Sequence, residues 1–319
     1  LLETSSGYWF SCALHAGVRL EVFTILGKES KKSEAIAREA DADPRAMATL
    51  LDALSAMGLL SKQGDTYANT EASAQFLVKE SLEYMGFIIM HHHHLVDAWA
   101  HLPQSVLMGG PVRDRAWQET EREAFLMGMF NMAMALAPQI AAQIDLSGRK
   151  RLLDLGGGPG TYSIFFCKQN PQLEATVFDL PSTKPFARKT IERFGLGDRI
   201  RFEAGDYTDH KIPEGHDVAW LSQVLHSEGP KVCQEVIGET VAALEKGGLI
   251  IIHDFILDDS RDSPLFPALF SLNMLVNTDR GQSYSEGEIR SMLEKAGVKD
   301  IRRLDFQSPS DSAIIMGNV

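Results

Sequence analysis

Four glycines crowd a single turn of this chain, in the stretch RLLDLGGGPGTYS at residues 151–163. An apolar run leads into Asp154, and Gly156, Gly157, Gly158 and Gly160 follow at once. Such a turn, placed after a strand, lets the backbone approach a ligand more closely than any side chain permits. It therefore requires a strand that ends at a binding edge. Two familiar uses of glycine turns are excluded. The dinucleotide fingerprint G-x-G-x-x-G is met at Gly156 and Gly158, but its last position is Thr161. A phosphate-binding loop needs Gly-Lys-Ser/Thr after the glycines, and none follows. Asp154 would hinder a pyrophosphate and suits a cationic ligand.

What surrounds the turn sets the fold class. From residue 148 onward, short apolar runs alternate with helical stretches: RLLDL, ATVFDL, IRFEAG, DVAWLS and GGLIIIHDF. This alternation predicts a mostly parallel sheet covered by helices. IRRLDF and SAIIMGN are only a few residues apart, which predicts an antiparallel terminal hairpin. The expected class is α/β, with a Rossmann-like, mostly parallel seven-stranded sheet over residues 146–319. Residues 106–145 are expected to be linking helices that help form a substrate pocket.

Residues 1–105 read differently. GYWFSCALHAGVRLEVFTIL has helical spacing at Trp9, Leu14, Val18 and Val22, and Gly27 stops it. A second helix begins near Ser33. A third has Pro44 in its first turn and Gly58 at its end. Gly64-Asp65 predicts a small hairpin. Helix, turn, helix and hairpin make a winged-helix pattern. Its second helix, residues 44–57, carries one basic residue, Arg45, which is too little for reading DNA. A formal net charge of −12 also speaks against a nucleic-acid partner. Further helices are expected over 82–108, broken by Gly109-Gly110-Pro111, and from Glu119 to Ile144. No apolar run reaches the roughly 20 residues of a membrane span. Cys12, Cys167 and Cys233 are far apart and read as small buried apolar side chains in a reduced, cytoplasmic protein. In the run His91–His94, helical spacing puts only His91 and His94 on one face, with no clear third metal ligand.

The glycine turn and the segments after it carry a resemblance. The stretch from LLDLGGGPGTYS through ATVFDLPSTKPFARKTI resembles the S-adenosylmethionine site of class I methyltransferases. The continuation from GDYTDHKIPEGHDVAWLSQVLHSEGP to GGLIIIHDFILDD resembles the small-molecule O-methyltransferases, among them plant phenolic and hydroxyindole enzymes. The likeness covers nearly the whole chain, because that family begins with a winged-helix dimerisation domain. It implies a homodimer, a small-molecule acceptor, S-adenosylmethionine as donor with S-adenosylhomocysteine as product, and no metal, nucleic-acid or membrane partner. It also implies donor contacts from Asp154, Gly156, Gly158, Gly160, Asp179, Leu180, Asp206, Tyr207 and Ser222. Asp179 would bind ribose hydroxyls, which its two acceptor oxygens suit. Asp206 would accept from the adenine amino group with Tyr207 beside the ring, and Ser222 stands where plant relatives carry Lys.

A hydroxyl acceptor must lose a proton, and His is the natural base near neutral pH. The resemblance gives that role to His226, with Asp254 as its orienting partner, one carbon shorter than the Glu of the plant enzymes. A second family acid would fall near Ser283, and this sequence lacks it. His253, beside Asp254, is expected to face the other side of its strand and pack. Met129, Phe130 and Met134, together with Asn273 and Asn277 on one helical face, would line the acceptor pocket. The family follows its His with Asp and Trp, whereas Ser227 and Glu228 follow here. This leaves open N- or C-methylation, or a reaction without methyl transfer, on the same fold and cofactor. A non-catalytic winged-helix ligand sensor is a third reading, opposed by the acidic charge.

Overall fold

The computed structural model describes residues 1–112, 119–209, 211–306 and 308–319. Positions 113–118, inside the expected linking region, lie outside the described residues. The chain divides into two compact units: Leu1–Val96 with Trp117–Met132, and Asp97–Ala116 with Ala133–Val319.

The first unit is mostly helical. The expected single helix up to Gly27 is instead two, Tyr8–Arg19 and Val22–Leu26, because Glu21 adopts a left-handed backbone at φ 57°. Val18 and Val22 are buried as their spacing requires, but Trp9 is 64% exposed. Helices Ser33–Glu39 and Pro44–Ala56 follow. The second is capped by Asp43, which accepts from Ala46 N–H at 2.8 Å, and Pro44 occupies the position where a missing N–H costs nothing. Strands β1 (Lys31–Lys32), β2 (Leu60–Gln63) and β3 (Thr66–Asn69) pair in the order β1-β3-β2, and the β2–β3 hairpin turns at Gly64-Asp65. Val22, Phe23, Leu26, Ile36, Met47, Leu51 and Leu54 form the core of this unit.

The second unit holds seven strands: β4 (Arg151–Leu155), β5 (Glu174–Asp179), β6 (Ile200–Ala204), β7 (His216–Ser222), β8 (Leu244–Phe255), β9 (Lys299–Arg303) and β10 (Ser312–Asn318). Their order is β6-β5-β4-β7-β8-β10-β9. The first five run parallel, and β10 is antiparallel to both neighbours. Alternate residues feed two cores. Leu152, Trp220 and Ile251 lie in one; Leu153, Leu155, Leu221, Ile250 and Ile252 lie in the other. Burial on both faces explains why these strands read as continuous apolar runs. Strand order reverses between β4 and β7, which opens a crevice at their carboxyl ends.

The region expected to be helical over 82–108 is two helices, Gly86–Ala100 and Leu102–Met108. Helix Glu119–Gln143 is 25 residues long and apolar enough to meet the length of a membrane span, but 44% of its most apolar window is buried. Its Ile140 and Ala141 belong to the core beside the sheet. All three cysteines are free; Cys167 and Cys233 are buried as expected, whereas Cys12 is exposed.

Candidate active site

The carboxyl ends of β4 through β8 bring most of the expected residues to one edge. Asp154 is 1% exposed near the end of β4. Its Oδ2 accepts the Ser163 hydroxyl at 2.7 Å, whereas Oδ1 is buried without a partner. Burial raises this carboxyl to about 7. The turn above it needs glycine for two separate reasons. Gly156, Gly158 and Gly160 have φ of 64°, 54° and 76°. A Cβ on Gly157 would lie 2.6 Å from the Asp154 carboxyl carbon, and one on Gly156 would lie 2.9 Å from Val224 Cγ2. A Cβ on Gly158 would meet nothing within 4 Å, so its surface faces open space.

Asp179, at the end of β5, supports this turn directly. Its Oδ2 accepts Gly158 N–H at 2.8 Å, while Oδ1 accepts Leu180 N–H at 2.7 Å and the Thr183 hydroxyl at 2.9 Å. Burial raises its carboxyl above the ordinary range despite these bonds. Leu180 is 46% exposed beside it. Past β6, Asp206 Oδ1 accepts both the backbone N–H and the hydroxyl of Thr208, at 2.9 and 2.7 Å. Tyr207 follows, partly buried.

A buried histidine–carboxylate pair lies past β7 and at the end of β8. His226 occupies the short 3-10 turn Leu225–Ser227 and is 8% exposed. Its Nδ1 lies 2.7 Å from Asp254 Oδ1, and its backbone N–H donates to Asp254 Oδ2 at 3.3 Å. Burial alone would raise the Asp254 carboxyl, but His226 and the Phe255 N–H hold it below the ordinary carboxylate range. A carboxylate accepting at Nδ1 fixes the neutral imidazole with its lone pair on Nε2. The turn is anchored from behind: Cys233 Sγ lies 3.2 Å from Leu225 O, and Tyr284 donates its hydroxyl to Glu228 O at 2.5 Å. Gly281 is required by close approach, since a Cβ there would lie 2.4 Å from His226 O.

An aromatic wall adjoins the imidazole. The Phe270 ring is 4.8 Å from it edge-on, and Phe255 lies 4.5 Å from Phe270. One turn beyond Phe270 on the same helix, Leu265–Asn277, Asn273 Oδ1 accepts the Trp99 indole N–H at 2.9 Å. An indole can only donate, so the Asn273 amide orientation is settled and its Nδ2 is left to donate elsewhere. Asn277 donates to Asn273 Oδ1 at 3.1 Å and to Asn273 O at 2.8 Å, so its amide nitrogen is engaged within the helix. Phe130 is buried and Met129 half-buried in the first unit; Met134 is half-buried in the second.

The comparisons identify the family. A family model described as "O-methyltransferase domain" matches residues 100–299, and one described as "O-methyltransferase dimerisation domain" matches residues 2–79. The chain is an O-methyltransferase. This O-methyltransferase is 31% identical to 3-hydroxy-5-methyl-1-naphthoate 3-O-methyltransferase of Streptomyces sahachiroi, over 99% of this chain and 94% of the relative. It is 28% identical to the N,N-dimethyltransferase OxyT of Streptomyces rimosus, over 96% of this chain and 92% of that one. The crystal structure of human N-acetylserotonin methyltransferase in complex with S-adenosylmethionine superimposes with a TM-score of 0.89 at 26% identity, covering 100% of this chain and 96% of that chain.

Two features of the O-methyltransferase site escape sequence reasoning. His253, expected only to pack, bridges three strands: Nδ1 lies 2.8 Å from Ser222 Oγ and Nε2 lies 2.9 Å from Ser312 Oγ. Burial lowers it to about 4, so it is neutral. The expected donor contact Ser222 is thus tied into the sheet. Gln223, which follows it, holds a left-handed backbone at φ 60° and donates its N–H to His253 O at 2.8 Å. The residues present suit a cationic donor: a buried unpaired carboxylate oxygen on Asp154, open space over Gly158, and further carboxylates at the ends of β5 and β6. Among the described residues, no group of three or more His, Cys, Asp or Glu is arranged to hold a metal ion.

Proposed function

We propose that the protein methylates a hydroxyl group of a small aromatic molecule, with S-adenosylmethionine as donor and His226 as general base. The observation that carries this reading is the buried 2.7 Å contact between His226 Nδ1 and Asp254. It leaves Nε2 free to take a hydroxyl proton, and the resulting imidazolium is stabilised by the carboxylate behind it. When bound, the donor supplies a methyl group already activated on a sulfonium. The chain then has to position the reactants, exclude water and accept one proton. Asp154, Gly156, Gly158, Gly160, Asp179, Leu180, Asp206, Tyr207 and Ser222 would hold the donor. Met134, Asn273 and Asn277, all in the second unit, would line the acceptor pocket, and no metal takes part.

An aromatic acceptor is supported by the ring wall of Phe255 and Phe270 beside the base, and by the naphthoate in the name of the Streptomyces sahachiroi relative. A second reading, methylation of nitrogen, is favoured by the name of OxyT and by the lack of the family's second acid near Ser283. The matched dimerisation domain supports a homodimer, and three free cysteines suit a reduced, cytoplasmic setting.

Mass spectrometry of a phenol and amine panel incubated with S-adenosylmethionine tests the reaction. A gain of one methyl on oxygen is expected, and fragmentation that places it on nitrogen selects the second reading. His226→Ala is expected to keep S-adenosylhomocysteine affinity while losing about 10²-fold or more in turnover with a phenol. Near-normal turnover in that variant removes the base assignment.

A further inference from the structure

Glu228 has no part in the mechanism above, yet it is bonded at three points. Its N–H donates to Leu225 O at 3.1 Å, its carbonyl accepts the Tyr284 hydroxyl at 2.5 Å, and its Oε1 accepts the Tyr207 hydroxyl at 3.2 Å. The first bond ties Glu228 to the turn that carries His226, and the second ties it to Tyr284 behind that turn. The third crosses to the segment after β6. Tyr207 in turn faces the glycine turn, because a Cβ on Gly156 would lie 3.8 Å from its Cε1. Its ring is therefore one wall of the space beside Gly156, and Glu228 holds the far end of that wall. Burial and the Glu228 charge both raise the Tyr207 phenol above its ordinary range, so the hydroxyl keeps its proton and donates. A bond from a phenol to a carboxylate is stronger than one between neutral groups.

We propose that Glu228 is a positioning residue for the donor: through the Tyr207 hydroxyl it clamps that ring against the glycine turn, where the adenine end of S-adenosylmethionine is read to lie. The inference rests on the donor reading above. The His226 turn has its own anchors in Asp254, Cys233 and Tyr284, so the clamp acts on donor binding more than on proton transfer.

Calorimetry with S-adenosylhomocysteine and steady-state kinetics test the clamp. Glu228→Leu and Tyr207→Phe should each weaken S-adenosylhomocysteine binding about tenfold, the size of one hydrogen bond to a charged group. The donor KM should rise more than kcat falls. The double variant should be no weaker than either single one, because both remove the same bond. Glu228→Gln, which keeps an acceptor oxygen, should stay within about twofold of wild type. Wild-type affinity in either single variant, or losses that multiply in the double, overturns the clamp. Should Glu228→Leu fail to fold, Tyr207→Phe alone must show the loss, since it keeps the ring. A wild-type protein that takes up no S-adenosylhomocysteine overturns the donor reading itself, and the clamp with it.

Discussion

Asp154 shows how a side chain proposed to bind the donor can cost stability while the donor is absent. Its carboxyl is buried with one oxygen unpaired and is raised to about 7. Above pH 7 the folded state must ionise it in an apolar setting, whereas the unfolded chain ionises it freely. The folded state binds the extra proton between the ordinary carboxylate range and pH 7, so stability falls as pH rises through that window. A shift to about 7 corresponds to roughly a few kcal/mol in the ligand-free protein. Asp154→Asn keeps an acceptor for Ser163 and removes the charge. It should raise the ligand-free melting temperature by a few degrees at pH 8, with the gain shrinking towards pH 5. It should also weaken S-adenosylhomocysteine binding at least about tenfold, the worth of one charged hydrogen bond. Melting curves at the two pH values and calorimetry check both halves. A variant that is no more stable at pH 8 would show that the buried charge carries no cost.

At the level of elements, His253 ties β7, β8 and β10 together through two serine hydroxyls. His253→Leu matches its bulk but removes the partner of the buried Ser312 hydroxyl, and an orphaned buried group costs about 1–3 kcal/mol. The urea midpoint should drop accordingly; an unchanged midpoint would strip the bridge of its role. This network was not legible in the sequence, because its partners are 31 and 59 residues from His253. The strands themselves were legible. Burial on both faces makes RLLDL and ATVFDL apolar throughout, and the glycines mark the turn by the positive φ they alone adopt cheaply. The His226–Asp254 contact was readable as chemistry but not as distance, since it depends on how the Leu225–Ser227 turn is propped by Cys233, Tyr284 and Gly281. The break at Glu21 was also hidden. Nothing in the local pattern marks a glutamate for a left-handed backbone, and the helix on either side keeps its apolar spacing.

For the whole molecule, the first unit leaves Tyr8, Trp9 and Phe10 between 63 and 64% exposed on one amino-terminal helix. Large aromatic side chains in a row on a surface mark an association face, and the dimerisation-domain match covers this helix. Trp9→Glu combined with Phe10→Glu should convert a dimer to a monomer in sedimentation at micromolar concentration, while the circular-dichroism spectrum stays helical. Persistence of the dimer would move the interface elsewhere. The second unit contains a division of labour set by its strand order. Asp154, Asp179 and Asp206 come from β4, β5 and the segment after β6, on one flank of the reversal point, whereas His226 and Asp254, the base and partner of the proposed reaction, come from the segment after β7 and from β8 on the other. On that reading, substitutions around Phe255 and Phe270 would retune which acceptor is taken, whereas Ser222 and Glu228 on the same flank remain bound to donor placement. The reversal point would thus leave acceptor choice to a few side chains of one strand end and one helix, rather than to the sheet as a whole.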